Sequence, residues 1–103
     1  MKEINQYNLK EMTKGNVIIE FYTPWCNPCS QLTSTLTKLS KEFSHISFLK
    51  INAEENNEAS LLASIRSVPT ILFLKDGKEL NRLIGYRDYN FLKQTINESY
   101  TCS

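Results

Sequence analysis

Two cysteines stand two residues apart in the stretch YTPWCNPC, which covers residues 22–29 and places Cys26 and Cys29 directly after a tryptophan. Thiols at this spacing can hold a metal, form a structural disulfide, or exchange electrons as a dithiol/disulfide pair. A cysteine can also pack in a core as a small apolar side chain. The neighbouring tryptophan, asparagine and prolines are unlike core sequence, so the pattern favours a reactive pair.

A metal centre is disfavoured by the shortage of further ligands. A structural zinc site uses four ligands, and beyond the pair the sequence offers only His45 and Cys102, with no second paired cluster. An iron–sulfur cluster has the same shortage of thiolates and would need two subunits to share it. We therefore expect no metal, and no cofactor other than a redox-active Cys26–Cys29 disulfide.

The reactivity of the pair depends on the element that carries it. Apolar side chains recur at helical spacing after the pair, at Leu32, Leu36, Leu39 and Phe43. This spacing predicts an amphipathic helix over about 26–43, with Pro28 in the first turn, where a missing N–H costs little. The free N–H groups and the positive end of the helix dipole would favour the thiolate of Cys26. Cys29, one turn later on the same face, could close a disulfide onto it.

Composition and charge exclude several classes of protein. The chain of 103 residues has the length of one domain, and we expect residues 1–103 to form a single one. Twelve Lys and Arg against eleven Asp and Glu leave a formal net charge of +1, which disfavours nucleic-acid binding. No apolar stretch is long enough to suggest a signal peptide or a membrane span. An odd, small number of cysteines fits a reducing compartment, so we expect a cytoplasmic protein without a membrane partner.

Alternating strand and helix patterns predict an α/β fold. Residues 17–22, VIIEFY, are apolar except for Glu20, which is typical of a central strand. Further patterns predict strands at 46–51, 70–74 and 79–84, a turn at 76–77, a helix at 54–65 with Leu61, Leu62 and Ile65 on its apolar side, and a helix capped by Asp88 that ends near residue 100. Together they predict a three-layer α/β/α sandwich around a central mixed sheet of four or five strands, with residues 2–4 as the candidate fifth.

The sequence resembles the thioredoxin family over nearly the whole chain, in four separate places. EFYTPWCNPC, residues 20–29, resembles the family's acidic and aromatic lead into its WCxPC site, although Asn27 stands where Gly is usual. SVPT, residues 67–70, resembles the family's cis-proline segment, and FLKDGKEL, residues 73–80, resembles its hairpin. Gly85 falls where the family has a glycine beside the active site. The resemblance implies a thioredoxin-like fold and the reduction of protein disulfides.

The resemblance also implies a role for each residue of the reactive centre. Cys26 would be the attacking nucleophile and Cys29 the resolving thiol, acting through a mixed disulfide with the substrate. Glu20 would be the family's buried acid beneath the second cysteine, able to shuttle a proton for it. Lys50 matches the lysine that neighbours this acid.

A substrate surface follows from the same resemblance. The Val68–Pro69 bond would be cis, and the backbone of Val68 would pair with an extended segment of the substrate. A flat apolar rim around this segment is expected from Trp25, Pro28, Gly85 and Tyr86.

Three functions stay open at this point. The first is a disulfide reductase with disulfide-containing protein substrates and a thioredoxin-reductase-type electron donor. The second is a more oxidising, isomerase-like disulfide exchanger, and the third is a binding module of the same fold with a redox switch. We expect a monomer in which Cys102, near the C-terminus, is a spare exposed thiol.

Overall fold

The computed structural model describes residues 1–100 of the chain, so the prediction for Cys102 falls outside the described residues. Strands and helices alternate along this part of the chain. In order they are β1 (Lys2–Ile4), α1 (Leu9–Met12), β2 (Asn16–Tyr22), α2 (Asn27–Ser40), β3 (Ser47–Asn52), α3 (Asn57–Leu62), β4 (Thr70–Lys75), β5 (Lys78–Ile84) and α4 (Tyr89–Ser99).

The strands form one mixed five-stranded sheet in the order β1-β3-β2-β4-β5. Strands β1 and β2 both pair with β3 in parallel, whereas β4 is antiparallel to β2 and β5 is antiparallel to β4. Strand β2 is therefore central, and its residues 17–21 are all buried, including Glu20. This confirms the mixed sheet and the central strand, and it makes residues 2–4 the fifth strand.

Apolar side chains of β2 point alternately to the two faces of the sheet, as strand geometry requires. Ile18 lies in a cluster with the leucines of α2 and with Leu92 and Ile96 of α4. Val17, Ile19 and Phe21 lie in a second cluster, against Ala59 of α3 and the partly buried side chains of α1. The sheet is thus covered on both faces, which is the predicted three-layer sandwich.

The hairpin between β4 and β5 turns at Asp76 and Gly77, since Lys75 pairs with Lys78. Both turn residues have positive φ, 49° and 80°, which is the backbone of the tight two-residue turn that Asp-Gly favours. The N–H of Gly15 donates to Asp76 Oδ1 at 2.8 Å, so the turn is also tied to the residue before β2. The predicted hairpin is confirmed.

Helix α3 differs from its prediction in length and in the face it buries. It covers only six residues, and Leu61 and Leu62 are 80% and 81% exposed, so their assignment to the apolar side is wrong. Ala59 packs on the sheet instead, while the hydroxyl of Ser60 is held by the carbonyls of Ala53 and Asn56. These contacts fix the rotation of the helix and turn both leucines outward.

Helix α2 also ends earlier than the apolar spacing predicted. It ends at Ser40, and Phe43 reaches the same core from the turn that follows. In that turn the N–H groups of Glu42 and Phe43 both donate to the carbonyl of Leu39, which closes the helix.

The end of α4 is attached to the sheet through Tyr100. Its hydroxyl lies 2.7 Å from the carbonyl oxygen of Val17 and 3.0 Å from that of Leu74. These two residues face each other across β2 and β4, at the end of β2 that is remote from Tyr22. None of the helices in residues 1–100 is long and apolar enough to cross a membrane.

The cap of α4 gives a direct test of this fold. Asp88 Oδ1 accepts a hydrogen bond of 2.9 Å from the N–H of Phe91, in the first turn of the helix that carries Leu92 and Ile96 into the core. We expect Asp88→Ala to lower the free energy of unfolding by about 1 kcal/mol, and Asp88→Asn, which keeps an acceptor, by less than about 0.5 kcal/mol. Urea unfolding of both variants measures this, and equal losses would contradict the assigned cap.

Candidate active site

Cys26 and Cys29 are joined by a disulfide, with 5.2 Å between their Cα atoms. Cys26 is the N-cap of α2, and the backbone N–H of Cys29 points at its sulfur at 3.1 Å. The first turn of α2, which lies wholly within the described residues, carries no acidic side chain. The helix dipole and an N–H group therefore both favour negative charge on the sulfur of Cys26.

The two sulfurs differ in their access to solvent. Cys29 is 1% exposed and lies on the face of α2 that packs against the sheet, whereas Cys26 is only partly buried. The difference arises because Cys26 precedes the helix, while Cys29 belongs to its first turn. Pro28 lies in that turn, where its missing N–H leaves no helical hydrogen bond unmade.

The carboxyl of Glu20 contacts α2 at Thr33, one turn after Cys29, and is fully buried. Its Oε1 accepts a hydrogen bond of 2.6 Å from the hydroxyl of Thr33, and its Oε2 has no hydrogen-bond partner among residues 1–100. Burial raises the pKa of Glu20 from 4.5 to about 7. The hydrogen bond from Thr33 and the positive charge of Lys50 act in the opposite direction and limit the rise in this pKa.

Lys50 is brought next to Glu20 by the pairing of β2 with β3, in which the two residues are direct partners. The Lys50 ammonium lies over the ring of Tyr22, 5.4 Å from its centroid. The hydroxyl of Tyr22 lies 2.7 Å from each carboxylate oxygen of Glu3. Burial raises the pKa of Tyr22, and the hydrogen bond to Glu3 raises this pKa further, so the phenol stays neutral.

A cleft of about 380 Å³ opens beside the disulfide. Cys26 and Cys29 line it together with Lys50, Tyr22, Thr33 and several small hydroxyl side chains. The cleft is thus lined by residues of the disulfide and by Thr33, whose hydroxyl contacts Glu20.

The segment before β4 lies at the same end of the sheet as the disulfide. The Val68–Pro69 peptide bond is cis, as the resemblance implied. Thr70 is paired with Phe21 near the end of β2, so Val68 and Pro69 lie beyond that end, where the chain leaves β2 toward the cysteines. The N–H of Gly85 donates to the carbonyl of Pro69 at 2.8 Å, which joins the two segments that flank the site.

The side chains expected to form the substrate rim differ in exposure. Trp25 is 81% exposed, Tyr86 is 41% exposed and Pro28 is exposed as well. Val68 and Gly85 are partly buried, and Pro69 is buried. The structure thus leaves a large aromatic surface directly beside Cys26.

Sequence reasoning missed two parts of this site, the hydroxyl of Thr33 and the contact of Tyr22 with Lys50. Thr33 follows Cys29 by four residues, which places both on one helix face, so a helical projection could have found it. Tyr22 follows Glu20 by two residues on the same strand and therefore points to the same face of the sheet.

Throughout the part of the chain that the structure describes, no group of three or more His, Cys, Asp or Glu side chains is arranged to hold a metal ion.

Comparisons with known proteins agree with this geometry. The sequence model of the family described as Thioredoxin matches residues 2–98. The thioredoxin of Chlamydia pneumoniae is 37% identical over 87 residues, which cover 84% of this chain and 85% of that protein. A solved thioredoxin structure from Plasmodium falciparum has a TM-score of 0.88 at 27% identity and covers 95% of this chain and 98% of its own. The structure of Fasciola hepatica thioredoxin has a TM-score of 0.85 at 30% identity and covers 97% of this chain and 100% of its own.

The fold and the paired sulfurs together define a protein of the dithiol/disulfide exchange class. The chain belongs to the thioredoxin family. It is a thiol-disulfide oxidoreductase that acts as a protein-disulfide reductase, which confirms the reductase activity predicted from the sequence.

The buried carboxyl predicts a specific dependence of stability on pH. Between pH 4.5 and about 7 the folded chain keeps the proton of Glu20 while the unfolded chain has released it, so stability falls as the pH rises. The loss attributable to Glu20 should approach about 3 kcal/mol by pH 8, and Glu20→Gln should remove it.

Denaturant unfolding of the oxidised protein at pH 4.5, 6 and 8 measures this dependence. Glu54→Gln, which removes an exposed carboxyl, is the matched control and should keep the wild-type slope. The same slope in Glu20→Gln as in the wild type would show that Glu20 titrates normally.

Proposed function

We propose that Cys26 is the sulfur that attacks the substrate disulfide and that Cys29 is the resolving thiol. The observation that carries this assignment is the difference in access, since Cys26 is partly exposed at the helix N-cap and Cys29 is 1% exposed. A protein substrate can reach the first sulfur directly. The second is placed to meet the first, one helical turn away, once the substrate is attached.

The proposed reaction balances in two exchanges. The thiolate of Cys26 attacks one sulfur of the substrate disulfide, forms a mixed disulfide, and releases the other substrate sulfur as a thiolate that takes up a proton. Cys29 then loses its proton and attacks the sulfur of Cys26. This step forms the Cys26–Cys29 disulfide and releases the second substrate sulfur, so two electrons pass from the protein to the substrate.

Glu20 is proposed to accept the proton of Cys29 in the second exchange. Its carboxyl is buried on the side of the sheet that α2 covers, and its partner Thr33 also contacts the carbonyl of Cys29. A pKa of about 7 suits a group that must take and return a proton near neutrality. Lys50 supports this role, because its positive charge stabilises the ionised carboxylate of Glu20.

The proposed substrate surface surrounds the exposed sulfur. The backbone of Val68 would pair with an extended segment of the substrate, and Pro69 and Gly85 would hold that backbone through their hydrogen bond. Trp25, Pro28 and Tyr86 would supply apolar contact, and the exposure of the indole beside Cys26 supports this. Contacts of this kind tolerate many substrate sequences.

Further properties of the protein complete the proposal. Its substrates are disulfide-containing proteins, and a thioredoxin-reductase-type donor returns the electrons. Residues 1–103 form one domain that works as a monomer in the cytoplasm, with the Cys26–Cys29 disulfide as its redox centre and with no other cofactor. The protein has no membrane or nucleic-acid partner in this proposal. The near-zero net charge of the chain supports the absence of a nucleic-acid partner.

Reduction of insulin disulfides by dithiothreitol tests the roles of the two sulfurs. We expect Cys26→Ser to fall to the rate of dithiothreitol alone, because the attacking sulfur is lost. Cys29→Ser should accumulate a mixed disulfide between Cys26 and the substrate, seen by non-reducing mass spectrometry. Cys102→Ser is the matched control and should keep the wild-type rate. Full activity in a variant that lacks both Cys26 and Cys29 would contradict the proposal.

The role of Glu20 is tested by the rate at which the mixed disulfide is resolved. In single-turnover mixing of the reduced protein with a disulfide peptide, Glu20→Gln should slow resolution by about 100-fold at pH 7, since the proton acceptor is missing. Formation of the mixed disulfide at Cys26 should change little. Glu54→Gln serves as control, and an unchanged resolution rate in Glu20→Gln would remove the proposed role.

A further inference from the structure

The hydroxyl of Thr33 stands between two acceptors. Its oxygen lies 2.6 Å from Glu20 Oε1 and 2.9 Å from the carbonyl oxygen of Cys29. A threonine hydroxyl carries one proton and can donate it to only one acceptor at a time. Both contacts can be hydrogen bonds at once only if one of them is donated by the other partner.

The protonation state of Glu20 decides which arrangement forms. When the carboxyl is ionised, the hydroxyl of Thr33 donates to Oε1 in a charge-assisted hydrogen bond. When it is neutral, Glu20 can donate its own proton to the oxygen of Thr33, which then donates to the carbonyl of Cys29. The second arrangement is a continuous chain of hydrogen bonds from Glu20 to the turn that holds the resolving cysteine.

Among the groups around Glu20, Thr33 is the hydrogen-bond partner of the carboxyl. Oε2 has no hydrogen-bond partner within residues 1–100, and β4 presents the apolar Ile71 as the paired residue of Glu20. The titratable and charged groups near the carboxyl are Cys26 and Cys29 of α2, Lys50 of β3 and Tyr22 of β2. Glu3 of β1 and Glu55, which follows β3, act on Tyr22. Tyr22 is engaged with Glu3, and the charge of Lys50 acts on Glu20 without a hydrogen bond.

We propose that Thr33 is a positioning residue for Glu20. The hydroxyl of Thr33 turns between Glu20 Oε1 and the carbonyl of Cys29 as the carboxyl loses or gains its proton. The inference rests on the proposed role of Glu20 and deepens it. Thr33 also lines the cleft beside the disulfide, so the same hydroxyl joins the buried carboxyl to the space that contains both sulfurs. It acts through Glu20 and does not touch the reacting sulfurs of the substrate.

Replacement by valine removes the hydroxyl and keeps the shape of the side chain. The ionised carboxyl then loses a charge-assisted hydrogen bond, whereas the neutral carboxyl loses a weaker one, so the pKa of Glu20 should rise by about one pH unit. Thr33→Ser keeps the hydroxyl and should restore a pKa within about 0.3 units of the wild type. The measurement is the pH titration of the Glu20 carboxyl carbon by NMR in protein labelled at glutamate.

Thr37→Val is the matched control. Thr37 lies one turn further along α2, and its hydroxyl donates to the carbonyl of Thr33 at 2.7 Å, so this variant loses a similar helix contact away from Glu20. We expect the pKa of Glu20 to stay unchanged in it. An unchanged pKa in Thr33→Val, or an equal rise in Thr37→Val, would overturn the proposal. If Thr33→Val does not fold, Thr33→Ala gives the same test.

The titration does not require turnover, so it separates this inference from the proposed function. If the roles of the cysteines or of Glu20 are wrong, that failure appears in the insulin assay or in the resolution rate of Glu20→Gln. If Thr33 does position the carboxyl, the pH profile of mixed-disulfide resolution in Thr33→Val should move upward by the same amount as the pKa of Glu20. If Glu20→Gln does slow resolution, a profile that stays in place in Thr33→Val while the pKa of Glu20 rises would also overturn the proposal.

Discussion

The arrangement of the site depends on one junction, at which the buried strand β2 ends at Tyr22 and helix α2 begins at Asn27. Cys26 occupies the N-cap between them, so a sulfur stands where the helix presents its unpaired N–H groups. The next turns of the same helix place Cys29 and then Thr33 over the sheet. Because helix and strand are both locked in the core, the spacing between these groups is set by backbone geometry.

A carboxyl in the middle of such a core conflicts with the packing around it. Glu20 lies in β2, on the face of the sheet that carries the apolar cluster of Ile18, Phe48 and Ile71, and burial disfavours its charged form. One hydroxyl and one nearby cation reduce this cost, but they do not abolish it. Glu20 therefore lowers stability at neutral pH, which is the kind of local conflict that functional sites commonly retain.

Much of the fold was predictable because strands and helices leave different periodicities. The run around Glu20 has the length and β-branched content of a strand buried on both faces, and Asp76-Gly77 is typical of a tight turn between strands. Asp88 was also recognisable as a cap. In α3 the pattern failed, because the tertiary contacts of Ala59 and Ser60 override a helix of six residues that shows no dominant apolar stripe.

The site was predictable to the extent that its residues are adjacent in sequence or resemble a family motif. Cys26 and Cys29 are recognisable by their spacing, and Glu20 is recognisable because its neighbours in sequence are apolar. The contact between Thr33 and Glu20 crosses from a helix to a strand. A helical projection places Thr33 on the face of Cys29, but it does not show which hydroxyl of α2 meets the carboxyl. Such contacts depend on how two elements pack, so only the structure could show them.

The attachment of Tyr100 to the carbonyls of Val17 and Leu74 determines where the described chain leaves the sheet. Val17 and Tyr22 are five residues apart in an extended strand, so the anchor lies about 16 Å from the end of β2 that leads to the cysteines. A surface tether or a reporter domain joined to the backbone at Tyr100 would start from the end of the sheet opposite to the cysteines. The reactive sulfur would then remain oriented outward on an electrode or a bead.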